Sequence, residues 1–212
     1  YIAISTSPDP TGSYYTYTFT SPQFPDYLKF GVWHDGYYMT SNQSQQKVFV
    51  FERTAMLAGT AGARSVIVNF SPPTGGGFFC PVPGCAADGV LPPTGTPCPI
   101  FSYSDNAWGG TNIDGVKIYN MAVNWTPTTP TATITATPDV AATAFDASYN
   151  ASLNDCVQPG TTQKLDGIGG VNDRRLSRLE GGCLENCILF LGLAQERFAN
   201  QLLGAIAEHL GT

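Results

Sequence analysis

Five carboxylates, Asp26, Asp35, Glu52, Asp114 and Asp166, fall where strand-like runs begin or end. Two such groups, one acting as acid and the other as nucleophile or base, are what glycoside cleavage requires. Turn chemistry competes with that reading. Asp35 and Asp114 each precede a glycine, Asp26 follows a proline and Glu52 closes an aromatic run, and Asp-Gly is favoured in type I′ hairpin turns. The residue types therefore single out no catalytic group, and no phosphate-binding glycine loop, dinucleotide fingerprint or Gly-x-Ser-x-Gly elbow is present. No cofactor is implied.

Aromatic side chains offer a second chemistry, since flat rings can stack on the C–H faces of sugars. The candidates are Trp33, Tyr37, Tyr38, Trp108 and Trp125. Strand aromatics more often fill cores, because burying them removes a large apolar area from water. Trp108 stands apart, in the loop-like segment DNAWGG.

Cysteine supplies a third. Cys80, Cys85, Cys98, Cys156, Cys183 and Cys187 form an even set, compatible with three disulfides whose connectivity the sequence leaves open. Cys183 and Cys187 share a helix face, and His209 lies further along. The spacing is not that of a zinc site and a fourth ligand is missing, so no metal is expected. His34 lies by a turn, remote in sequence from any cysteine, which argues against Cys-His nucleophilic catalysis.

Asn42, Asn69, Asn124 and Asn150 each begin an Asn-x-Ser/Thr glycosylation sequon. With the even cysteines and few lysines they point to an oxidising setting, extracellular or at the cell surface. No signal peptide is visible at Tyr1, as expected for a mature or truncated chain. A net charge of −6 and the absence of a Lys/Arg cluster before Arg174 argue against a phosphate-backbone ligand. Only 12% of residues are charged, while 23 glycines and 16 prolines punctuate aromatic and β-branched runs, the composition of short strands on ordered loops.

Those runs must position the candidates. KFGVWHDGYYMTSN (29–42) reads as a hairpin turning at Asp35-Gly36. YYTYTF alternates with period two, placing Tyr15, Tyr17 and Phe19 on one face, and KVFVFE opposes Val48 and Val50 to Phe49 and Phe51. These make one unit of four strands. RTAML can form a helical turn before Gly59. RSVIVNF, continuously apolar, is expected to be a strand buried on both faces, and with PIFSYSD, GVKIYNMAVNW and TATITAT it makes a second four-stranded unit. Within the second unit, after RSVIVNF, residues 71–99 form a long Pro/Gly/Cys loop that disulfides could staple. Two such units suggest an all-β chain forming part of a β-propeller, with a β-sandwich as the alternative. Residues 1–170 are the expected all-β domain. Residues 171–212 are an amphipathic helical tail, with Leu191, Ala194, Phe198, Leu202, Ala205 and Leu210 on one face, its apolar core too short to span a bilayer.

FPDYLKFGVWHDGYYMT, VFVFERTAMLAG, VLPPTGTPCP, MAVNWTPTTPTAT and CVQPGTTQKLDGIGG, in this order, resemble an uncharacterised family of large secreted, propeller-like microbial proteins. The resemblance covers residues 14–178 and implies an interior portion, about half of a longer chain. It carries no activity and no catalytic residues. From Glu180 the sequence departs from the family's pattern, and the tail is expected to be a divergent or aberrant end of the reading frame. The chain thus reads as a non-catalytic extracellular or surface module for a glycan or protein ligand, with a carboxylate-pair glycosidase and a structural surface protein as alternatives.

Overall fold

The computed structural model describes residues 1–70, 81–86, 90–144, 156–157, 160, 162 and 164–165. The expected helical tail, Cys80, Cys183, Cys187, Asn150, Asp166 and His209 lie outside them. The architecture is all-β. β1 (Ile2–Ser5) and β2 (Tyr14–Tyr17) form a two-stranded antiparallel ribbon. β3 (Asp26–Val32), β4 (Gly36–Asn42) and β5 (Lys47–Glu52) are followed by a helical turn, α1 (Arg53–Leu57), and by β6 (Ser65–Asn69), giving a four-stranded antiparallel sheet in the order β3-β4-β5-β6. β7 (Val82–Pro83), β8 (Cys98–Ser104), β9 (Gly115–Asn124), β10 (Thr131–Ala136) and β11 (Val140–Ala141) form the next sheet, in the order β10-β9-β8-β7, with β11 also paired to β9. β12 (Cys156–Val157) and β13 (Lys164–Leu165) make a separate short pair.

Each large sheet is built from consecutive strands, and no described strand crosses between them. β7 lies against β3 and β4, and β10 lies against β6. Connections among the described strands do not interleave between the sheets as in a Greek-key sandwich. The facing sides share one core of Trp33, Tyr38, Val48, Val50, Phe70, Cys98, Ile100 and Met121. On the far side of β4 and β5, Met39, Phe49 and Phe51 pack with Tyr17 and Met56, and Ile2 and Ile4 of the ribbon close over them.

The expected units are redrawn in two respects. YYTYTF does not join the first sheet: its strand, β2, pairs with β1. SVIVN closes that sheet as an edge strand, with Ile67 and Asn69 exposed, instead of opening the next. The strand buried on both faces is β5, whose valines face the shared core and whose phenylalanines face the ribbon.

Two glycines are fixed by crowding. The Trp33 N–H donates to the Gly36 carbonyl at 3.0 Å, so the two-residue turn is His34-Asp35, one position earlier than Asp-Gly pairing suggests. Gly36 opens β4 outside the left-handed region, and a Cβ there would stand 2.4 Å from Val50 Cγ1. A Cβ on Gly31 would lie 2.2 Å from the Gly84 carbonyl oxygen, which is what lets β3 approach β7.

Candidate functional site

Four connections meet at one end of the paired sheets and leave a cleft of about 440 Å³. The β3–β4 turn contributes His34 and Asp35, and the end of β5 contributes Glu52, with Thr54 beside it on α1. Thr94 and its neighbours enter from the approach to β8, and Asn124 and Trp125 from the end of β9.

The approach to β8 is clamped onto the hairpin tip. The Thr96 carbonyl accepts from Trp33 Nε1 at 2.9 Å and from His34 Nε2 at 3.0 Å. A carbonyl can only accept, so the His34 proton sits on Nε2. The Asp35 carboxylate accepts the Tyr38 hydroxyl, whose oxygen lies 3.1 and 3.2 Å from the two carboxylate oxygens. Burial, reinforced by Cys98 and Asp35 nearby, pushes the Tyr38 hydroxyl far above the ordinary tyrosine range, so it stays a donor.

Glu52 is tied elsewhere. Arg64, opposite it in the β5–β6 ladder, reaches its carboxylate from Nη2 at 2.5 Å and from Nε at 2.8 Å. The same guanidinium donates to the Trp125 and Pro127 carbonyls at 2.9 and 2.7 Å and lies 5.7 Å from the centre of the Trp125 ring. One side chain thus fastens the first sheet to the β9–β10 turn. The Arg64 hydrogen bonds hold the Glu52 carboxyl below its ordinary value.

Two of the five sequence-derived carboxylates, Asp35 and Glu52, are therefore brought to one cleft. Asp26 begins β3. Asp114 is buried and accepts both the backbone N–H and the side-chain amide of Asn106, each at 2.9 Å, a loop-fastening role. Glycoside cleavage needs a carboxyl kept protonated near neutrality. Glu52 is driven the opposite way.

The aromatics divide. Trp33 and Tyr38 belong to the shared core, and Tyr38 has no exposed surface to offer a ligand. Tyr37 faces the other side and is covered by Arg53, 6.0 Å from its ring centre. Trp125 lines the cleft, and its buried indole N–H makes no hydrogen bond among the described residues. Only the backbone of Trp108 is described, in a 3₁₀ turn (Asn106–Trp108) that the Asp105 carboxylate caps by accepting from Ala107 N–H at 2.7 Å.

Among the described residues no disulfide joins the cysteines. Cys98 is a fully buried thiol whose pKa burial pushes up, and Cys85 is half-buried. β7 pairs with β8 through Val82–Phe101 and Pro83–Ile100, and Gly84 N–H donates to the Pro99 carbonyl at 2.7 Å. Cys156 lies in β12. Of the sequons, Asn69 and Asn124 are exposed and Asn42 is half-buried. No group of three His, Cys, Asp or Glu residues suited to a metal ion, and no helix long and apolar enough to cross a membrane, occurs among the described residues.

Residue-type reasoning missed Arg64 and the Thr94–Thr96 wall, and weighed His34 only as a partner for cysteine. Arg64 was readable in principle: once KVFVFE and SVIVN are paired antiparallel, the arginine before one strand must face the glutamate ending the other. No family model, curated protein or solved structure matches this chain.

Proposed function

We propose that this chain is a non-catalytic extracellular or surface module that binds a saccharide in the cleft between the hairpin tip and the β9–β10 turn. The observation that carries the reading is the chemistry of the lining. Trp125 supplies an aromatic ring, while Thr54, Thr94, Thr126 and Asn124 supply hydroxyl and amide groups. A ring with convergent hydrogen-bonding groups suits a ligand with apolar faces and polar edges, and the volume is that of a small-molecule site. The two carboxylates are engaged by Arg64 and Tyr38, which supports binding over hydrolysis.

The setting is part of the proposal. The sequons and cysteines support secretion, as does the resemblance to secreted propeller-like proteins. Asn124 stands on the lip of the cleft, so a glycan attached there and ligand access are linked.

A glycan array probed with the full chain, followed by calorimetry and a parallel assay for released reducing ends, tests the reading. Binding without hydrolysis is expected, and Trp125→Ala should weaken it by about 30-fold or more, as for a central interface tryptophan. Asn124→Ala gives a second readout that leaves Trp125 packing intact. Released sugar would favour the glycosidase alternative, and binding untouched by either substitution would move the site away from this cleft.

A further inference from the structure

Resting on the saccharide reading, we infer that the ligand carries a protonated amine, as in an amino sugar, and that Asp35 receives it. The Asp35 side chain is only 17% exposed and lines the cleft. A carboxylate offers about four lone-pair sites, and the Tyr38 hydroxyl accounts for one hydrogen bond. Among the described residues no lysine or arginine pairs with it. His34 lies 4.0 Å away with Nε2 turned to the Thr96 carbonyl.

The contrast with Glu52 is the core of the inference. Both acids line the same cleft, but Arg64 neutralises Glu52 within the protein, so Asp35 is the charge the cleft presents. A carboxylate largely withdrawn from water is costly unless it is paired and hydrogen-bonded. An ammonium group brings three donors and the opposite charge. The hydroxyl-rich wall around it suits the neighbouring sugar hydroxyls, and the net charge of −6 on the chain favours approach of a cationic ligand.

The test compares two oligosaccharides of equal length, a glucosamine oligomer and its N-acetylated counterpart, titrated into the full chain at low and at moderate salt. The amine oligomer should bind about tenfold tighter or better, with the advantage shrinking as salt rises. Asp35→Asn should cost it roughly 10- to 100-fold, as for hydrogen bonds to a charged group, while changing the acetylated oligomer by about twofold or less. Equal affinities for the two oligomers in the unmodified chain overturn the inference without any variant. So does an Asp35→Asn loss that is the same for both. If neutral glycans bind and the amine adds nothing, the saccharide reading survives alone; if no glycan binds, both fall.

Discussion

At the scale of single residues, the Glu52–Arg64 pair decides what this cleft can do. It consumes the acid that a hydrolytic mechanism would want protonated and leaves Asp35 as the charge lining the cleft. Because the folded-state pKa of Glu52 is depressed, its contribution to stability is fully present above its ordinary value of 4.5 and is lost as pH falls through the lower folded-state value. Urea melts between pH 7 and pH 3 should therefore show an acid-side decline that Glu52→Gln flattens. A Glu52→Gln profile parallel to that of the unmodified chain would mean the pair adds nothing measurable. Asp35 illustrates how far sequence carries. Its Asp-Gly context announced a turn, and a turn is there, but the charge balance around it depends on Tyr38 and Arg64, which only the folded ladders bring near.

At the scale of elements, close approach matters more than propensity. β3 and β7 meet because Gly31 has no side chain, and Gly31→Ala would press a methyl group onto the Gly84 carbonyl and Pro83. Chemical denaturation should register a loss of about 2 kcal/mol or more, within the range for overpacking. Leu28→Ala, on the half-exposed side of the same strand, should cost less, about 1 kcal/mol. Equal effects would show that the β3–β7 contact is not sterically limited. The strands themselves were largely legible: the alternation in KVFVFE correctly assigned its valines and phenylalanines to opposite faces. Which strand pairs with which was not. A period-two pattern marks a strand without naming its neighbour, so YYTYTF was assigned to the wrong sheet and SVIVN to the wrong unit.

At the scale of the whole molecule, the two large sheets share one core and should behave as one cooperative unit. Trp33 belongs to the first sheet and Trp125 follows the second, and both pack in or against that core. Tryptophan fluorescence and far-ultraviolet circular dichroism should give coincident melting curves. Met121→Ala, at a fully buried position, should lower stability by about 2–5 kcal/mol without splitting the transition. Two separate transitions would show that the sheets fold independently. The all-β class was readable from composition and turn spacing; the placement of β7 against β3 and β4 and of β10 against β6 follows from long-range packing that no local window contains.

The contiguity of each sheet also sets an order in time. All the ladders of the first sheet can close once Asn69 has been synthesised, yet Tyr38, Val48 and Val50 wait for β8 to β10 to cover them, and β10 ends at Ala136. At ordinary translation rates that interval is on the order of ten seconds. During it the nascent chain carries a finished sheet with a bare apolar face, the species to which a ribosome-associated holdase would bind and the one from which premature release would lead to aggregation.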